Sequence, residues 1–233
     1  MSATLVVMTK APIPGMVKTR LSPPLSMALC ADLHEAFLRD TVRKATSLPD
    51  AHCVLAYAPD SGLSFFKSII PDGCELILQE GDDLGERMLN CFKRFHSSCS
   101  PIVVIGSDSP TLPVCYIRTA IDFLDLSQND VVFGPTSDGG YYLIGMTGPH
   151  TQLFADMEWS TSWVLRTSIN RCVELGLRWS LLPEWYDVDT PNDLARLADE
   201  LCISRENSTA APHTSSLIHS LLDDGALNSL PLP

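Results

Sequence analysis

The stretch that most constrains the fold is Pro101-Ile102-Val103-Val104-Ile105-Gly106-Ser107-Asp108-Ser109-Pro110. A continuous β-branched run that stops abruptly in turn residues reads as a strand buried on both faces, as occurs inside a parallel sheet. Asp108 then lies just past the carboxyl end of that strand, where open α/β sheets bind ligands. A carboxylate there can hold a divalent metal against a phosphate, or cap the helix that follows.

The rest of the chain supplies a sheet for that strand to sit in. Short apolar runs at 4–9, 52–58, 75–79, 130–135, 141–146 and 178–183 read as further strands. Helical spacing marks 26–47, 62–70, a segment opened by Asp83 and Glu86, 113–124, 160–176 and 191–203. Leu29, Leu33, Ala36, Phe37 and Val42 define the apolar stripe of the first and longest helix. Alternating strands and helices predict a three-layer α/β/α fold with a mostly parallel sheet over residues 1–203. The closely spaced runs at 131–146 predict a local antiparallel excursion. From residue 204 Ser, Thr, Asn, Pro and Ala dominate, and 204–233 is expected to be a loosely attached tail.

Charge narrows the partners. The 233 residues carry a formal net charge of -12, which argues against a chain-wide nucleic-acid or anionic-membrane surface. No apolar run is long enough to span a bilayer. The amino terminus lacks the order of a secretion signal, so a cytoplasmic location is expected. Cys30, Cys53, Cys74, Cys91, Cys99, Cys115, Cys172 and Cys202 form no C-x-x-C pair; they are expected to be reduced, buried hydrophobes, without a zinc site.

Against the acidic background, Lys10, Lys18 and Arg20 stand in a stretch with no acid before Asp32. They flank the loop Ala11-Pro12-Ile13-Pro14-Gly15 directly after the first strand, where cations and backbone amides can meet a phosphate chain. The common nucleotide motifs are absent: no glycine precedes Lys18 as a P-loop requires, and no G-x-G-x-x-G occurs. A hydrolase elbow and a zinc-protease helix fail likewise, since there is no G-x-S-x-G and no second histidine after His34-Glu35.

Asp187-Val188-Asp189-Thr190-Pro191 places two carboxylates before a helix. Thr190 and Asp193 account for the cap; Asp187 and Asp189 are left over, and with Asp108 would suit Mg²⁺ or Mn²⁺ bound through few protein ligands plus phosphate oxygens. Which of the two late acids would bind is open. Asp138-Gly139-Gly140-Tyr141-Tyr142 reads equally as a tight turn and as a close approach of backbone to ligand. The histidines, His34 among them, have no partner pattern, and core or surface roles are their default.

Together the ordered motifs 10–21, 79–88, 106–111, 138–142 and 187–191 resemble a family. The chain is similar, over about residues 4–203, to bacterial glycosyltransferase-like proteins of the nucleotide-diphospho-sugar transferase (GT-A, Rossmann-like) fold. It is more distantly similar to phospholactate and molybdenum-cofactor guanylyltransferases. The resemblance implies nucleotide binding by Lys10, Ala11, Pro12, Gly15, Lys18, Arg20, Gly81, Asp83, Gly85 and Ser107. It implies catalytic roles for Lys18, Arg20 and Asp108, and sugar or acceptor contacts by Asp138, Gly139, Gly140 and Tyr141. Asp108, Asp187 and Asp189 would hold the metal. Gly106-Ser107-Asp108 departs from the D-x-D of many sugar transferases, so the donor class stays open.

The implied activity is metal-dependent transfer from a nucleotide-sugar to a small-molecule acceptor. A nucleotidyl transfer from a nucleoside triphosphate to a phosphorylated acceptor is the second reading, and a catalytically silent nucleotide-binding protein the third. No nucleic acid is expected as partner, and self-association is left open.

Overall fold

The computed structural model describes residues 3–96, 101–126 and 128–227. Cys99, among the cysteines read above, lies outside them. Seven strands form one sheet: β1 (Ala3–Lys10), β2 (Ala51–Ala58), β3 (Glu75–Leu78), β4 (Ile102–Gly106), β5 (Val131–Pro135), β6 (Tyr141–Met146) and β7 (Trp179–Leu181). Their order is β3-β2-β1-β4-β6-β5-β7. β1 to β4 run parallel, β5 and β7 run parallel to each other, and β6 pairs antiparallel with both β4 and β5. The antiparallel excursion is therefore a hairpin whose return strand is inserted beside β4.

The position of β4 follows from its composition. Ile102, Val103, Val104 and Ile105 are all at most 3% exposed, and pleating sends them to opposite faces. Val103 and Ile105 join Leu5 and Val7 beneath α1 (Met27–Thr46), α2 (Leu63–Ile69) and α4 (Val114–Asp125). Ile102 and Val104 join Val6 and Met8 beneath α3 (Leu84–Phe95) and α5 (Val164–Glu174). Each such side chain contributes about 1.5–3 kcal/mol by leaving water, so a register exposing either face of β4 would be strongly disfavoured. The expected three-layer α/β/α arrangement is the one observed.

Two expectations are corrected. The helix expected from residue 160 begins at Val164. Ser160 has a positive φ of 64°, and the amide of Leu165 is taken by the carbonyl of Gly139, so 160–163 is spent on a turn against the 136–140 loop. The second correction concerns the segment after Ser204. It folds as α7 (Arg205–Ala210) and α8 (Pro212–Asp223), which follow α6 (Pro191–Ile203).

Ala211, Ile218, Leu221 and Leu227 are buried with Leu33 and Phe37 of α1 and Leu194 and Leu197 of α6. α1 is thus covered on both sides, unlike the one-stripe helix its spacing suggests. Its polar residues finish the joint. Asp40, wholly buried, accepts from the amides of His213 (3.1 Å) and Thr214 (2.8 Å) at the start of α8. Arg43 donates to the carbonyls of Thr209 (3.0 Å) and Ala210 (2.7 Å) at the end of α7. A carboxylate on a helix amino end and a guanidinium on a carboxyl end satisfy the orphan groups of both termini. Residues 205–227 are packed structure, and nothing in their Ser/Thr-rich composition reveals that Asp40 and Arg43 wait for them.

Among the described residues no helix is long and apolar enough to cross a membrane. The seven described cysteines are free, most of them buried as expected, with Cys115 and Cys202 exposed.

Candidate functional site

Because β1, β3, β4, β5 and β7 point the same way, the loops that leave them emerge at one edge of the sheet. All five motifs lie there: 11–20, 79–83, 107–112, 136–140 and 182–190.

The centre of this edge is an ion-pair cluster. Lys18 stands before a single 3₁₀ turn (Thr19–Leu21) in the left-handed region, φ 48° and ψ 33°, a conformation costly for a side-chain-bearing residue. Buried Val17 and Leu21 fix the turn on either side. The Lys18 side chain is 3% exposed, and its Nζ lies 2.5 Å from Asp108 Oδ1 and 3.0 Å from Asp189 Oδ1. Its ammonium also sits over the Phe37 ring, 5.7 Å from the centroid. Burial works against ionisation of both partners, but the pairing outweighs it. Lys18 is held above the usual lysine range, and Asp108, flanked by Lys18 and His34, below the usual carboxylate range.

The two acidic loops are tied together. Val188 donates its amide to the Asp108 carbonyl at 3.0 Å, and Ser109 Oγ lies within hydrogen-bond distance of the Tyr186 carbonyl and of Asp187 Oδ1, at 2.9 and 2.6 Å. Val188 is buried in the apolar cluster with α1 and α6, while Asp187 on one side of it and Asp189 on the other both reach the charged group, through Ser109 and Lys18. Asp187 is the uncompensated acid of the group. Burial pushes its carboxyl up to about 7, with the negative charges of Asp108 and Asp189 adding to the effect. Thr190 and Asp193 form the expected capping box of α6, and Asp193 Oδ2 also accepts from the amide of Asp189 at 3.2 Å.

His34 belongs here, although no sequence pattern marks it. It is 4% exposed; its Nε2 donates to the carbonyl of Lys10 at 2.9 Å. That leaves Nδ1 without a hydrogen-bond partner among the described residues, 3.8 Å from Asp108 Oδ1. Burial, against the opposing pull of Asp108, keeps His34 below its ordinary pKa. A lone histidine on an amphipathic helix carries no signal until β1 is known to end beside it.

Other expected residues are committed to holding the loops in shape. Ser107 is buried and bonded to Thr9 Oγ1 at 3.0 Å. Ala11 is buried against Gly62, just before α2, with its amide taken by the Ala58 carbonyl at 2.7 Å. Tyr141 packs its ring on Phe133, centroids 5.6 Å apart, on the α3/α5 face. In these three the side chain, or the Ala11 amide, is engaged within the protein itself by strand pleating and sheet pairing. Asp83 caps α3 through Glu86 N at 2.8 Å, while Glu86 reaches the amide of Asp82 at 2.9 Å. Gly81, at φ 133°, leaves a Cβ only 2.7 Å from that of Glu86, and a Cβ on Gly85 would meet the Trp159 indole at 2.5 Å.

The remaining expected residues are open to solvent or partly so. Lys10, Gly15 and Arg20 are exposed and Pro12 is half-buried; neither Lys10 nor Arg20 enters an ion pair among the described residues. Asp138 Oδ1 accepts from Thr136 Oγ1 at 2.5 Å and from Gly140 N at 3.1 Å, shaping the 136–140 loop. Gly139 has φ 89°, and a Cβ there would lie 2.1 Å from the Ser162 carbonyl. Gly139→Ala is therefore expected to lower stability by about 2 kcal/mol or more, read as a drop in the urea midpoint; an unchanged midpoint would show that the loop can part from residue 162 without cost.

Among the described residues no three His, Cys, Asp or Glu side chains converge in a metal-holding group. The two that do converge, Asp108 and Asp189, hold an ammonium. Cavities of about 300 Å³ against α6 and α7, and 370 Å³ beside β3 and α3, include none of these residues. The candidate site is an open edge.

With that geometry in place, kinship becomes informative. The model of a family described as uncharacterized proteins conserved in bacteria (DUF2064) matches residues 41–161. The chain belongs to this family. The match takes in β4, Asp108 and the 136–140 loop, and excludes Lys18, Asp187 and Asp189. No curated protein matches the chain. A solved structure from Desulfovibrio desulfuricans G20, named as a candidate nucleotide-diphospho-sugar transferase, is 28% identical with a TM-score of 0.88, covering 100% of both chains. A cytidylyltransferase from Leptospira borgpetersenii covers 100% of this chain and 99% of its own at 11% identity, with a TM-score of 0.58. CMP:2-keto-3-deoxy-manno-octonic acid synthetase, solved with CTP, covers 84% of this chain and 97% of its own at 12% identity and a TM-score of 0.55. The last two likenesses are of fold alone. The fold of this DUF2064 member is that of the nucleotide-diphospho-sugar transferases, as the motifs implied.

Proposed function

We propose that this protein is a metal-dependent transferase acting on a nucleotide-activated donor, with glycosyl transfer from a nucleotide-sugar as the first reading. The observation that carries it is the convergence of Asp108 and Asp189 on one cationic atom, beside a third acid and below a cationic loop. Full-length likeness to the Desulfovibrio protein supports a nucleotide-dependent transferase, and the cytidylyltransferase likenesses agree at the level of fold.

The residues fit a divalent cation. Mg²⁺ is characteristically held by one or two carboxylates, with substrate phosphates and water completing its shell, and two carboxylate oxygens here already share a cation position. Asp108 and Asp189 share one buried ammonium, and Asp187 stands beside them without a cation of its own. Asp108 and Asp189 would be the direct ligands, with Asp187 beside them. When bound, the ion would neutralise phosphate charge as the bond to the anomeric carbon or to phosphorus breaks.

The chain's own residues do the positioning. Lys18 and Arg20 present positive charge to the phosphates, Lys10 adds to it at the end of β1, and the glycines 139 and 140 let backbone come close to sugar or acceptor. Ser109 holds the two acidic loops in register. In glycosyl transfer the nucleoside diphosphate leaves. In nucleotidyl transfer an acceptor phosphate attacks the α-phosphate of a triphosphate and pyrophosphate leaves. The second reading has its own support: glycine at 106 withholds the first acid of a D-x-D, while three cations flank the first loop.

Thermal shift against nucleoside triphosphates and nucleotide-sugars, each with and without Mg²⁺, tests the assignment. A ligand at a hundred times its Kd stabilises by about 2.7 kcal/mol. The expected result is Mg²⁺-dependent stabilisation by one nucleotide-sugar. Stabilisation confined to a triphosphate moves nucleotidyl transfer to first place. Stabilisation without Mg²⁺ and without turnover supports the silent-binding alternative, and no response to any member overturns the site.

A further inference from the structure

We propose that Lys18 is the resident counter-ion of the Asp108–Asp189 pair, and that it surrenders this place to a divalent cation as a phosphate takes its ammonium. The proposal rests on the metal-dependent reading above and adds a coupling between metal and phosphate that the reading does not require.

Three observations carry it. Lys18 Nζ lies within 3.0 Å of both carboxylates, whereas Mg²⁺ binds oxygen at about 2.0–2.1 Å. An ion drawing on those same two oxygens would occupy nearly the same space as the ammonium, and the two cations would repel at contact distance. One must leave. Next, the Lys18 side chain is almost fully buried and, among the described residues, pairs with no carboxylate other than these two, so leaving without a new anionic partner would strand a charge. Finally, the residue is held at φ 48° before a one-turn 3₁₀ helix, a strained backbone of the kind found in elements with two settings. His34 is no substitute acceptor in the metal's favour. Its bare Nδ1 can take one hydrogen bond, but it brings no negative charge.

Metal alone should then bind weakly, because it must evict the lysine into a place with no anion. Phosphate alone must pull the lysine off two carboxylates and leave them exposed to one another. Each ligand removes the obstacle to the other, which is positive coupling of the reciprocal kind. The consequence is counterintuitive: deleting a cation from the site should improve metal binding.

The test is a titration of MnCl₂ without nucleotide, followed by electron paramagnetic resonance of free Mn²⁺, on wild type, Lys18→Met, Lys18→Gln, Lys18→Arg and Asp108→Asn. Lys18→Met and Lys18→Gln are expected to bind Mn²⁺ about tenfold more tightly than wild type. Lys18→Arg, which keeps a cation in place, should stay weak. Melting curves run in parallel check that each variant is folded, and the two neutral variants are expected to regain stability with Mn²⁺. In a second arm, pyrophosphate should tighten Mn²⁺ binding to wild type more than to Lys18→Gln. Mn²⁺ binding to folded Lys18→Met and Lys18→Gln no tighter than to wild type would overturn the displacement. If, in that case, wild type with pyrophosphate still binds Mn²⁺ in an Asp108-dependent way, the metal reading survives and only the coupling falls. Absence of any Asp108-dependent Mn²⁺ binding, with or without pyrophosphate, removes both.

Discussion

Asp108→Ala is expected to abolish Mg²⁺-dependent ligand binding and to cut transferase activity by about 10²–10³-fold or more, while the chain still folds. The loss follows from position. Asp108 is the one acid of the cluster that leaves the central strand of the sheet, and its carboxylate is a shared partner of Lys18 and a near neighbour of His34. Without it, a divalent ion has Asp189 and the crowded Asp187, and Lys18 has Asp189 alone. Folding is spared because the backbone carbonyl of residue 108 still receives the amide of Val188, and the apolar residues of β4 are untouched. Isothermal titration of Mg²⁺ with the stabilising nucleotide, beside a circular dichroism melt, would check both halves. Undiminished Mg²⁺ dependence in the variant would remove Asp108 from the site.

Asp40→Ala is expected to cost about 3–5 kcal/mol of stability, since it breaks a buried charged arrangement by removing one member. Two backbone amides at the start of α8 lose their acceptor. Lys44, one turn further along α1, loses the nearest opposite charge; burial already pulls its ammonium down to about 8 against the pull of Asp40. Lys44 matters beyond stability, because its Nζ donates to the carbonyls of Pro110 and Leu112, in the loop that carries Asp108. Asp40→Asn, which keeps an acceptor and loses the charge, should cost less, about 1–2 kcal/mol. Urea unfolding of the three proteins, with limited proteolysis to follow release of residues 205–227, makes the comparison. An alanine variant within 1 kcal/mol of wild type, a margin ordinary for surface sites, would mean that α8 is not held through Asp40.

Much of this architecture is legible before any coordinates. β4 announces itself because a strand buried on both faces has no polar alternation, and each expected strand is found within a few residues of its expected bounds. The late acids were legible as a surplus: Thr190 and Asp193 explain the helix start, and Asp187 and Asp189 remain. What the sequence could not show is long-range company. Ser107 and Asp108 look equally placed for a ligand, yet one hydroxyl turns to Thr9 and the other side chain to Lys18. His34, Asp40 and Lys44 lie on a helix whose spacing advertises only its apolar residues, and their partners are 24 to 174 positions away. The carboxyl-terminal helices were hidden for the same reason, since small polar residues pack well once α1 offers them capped ends.

α1 therefore behaves as a ruler with marks at His34, Asp40 and Lys44, each read by a different part of the molecule. One inserted residue between these marks would rotate everything beyond it by about 100° around the helix axis. The lysine would swing away from the Asp108 loop, or the aspartate from α8, whichever end moved. Length changes in this lineage should accordingly gather in the surface connections and be purged from the interval between positions 34 and 44. A sequence related to this one that differs in length there would have to have rebuilt either its active edge or its carboxyl-terminal half-turn of helices.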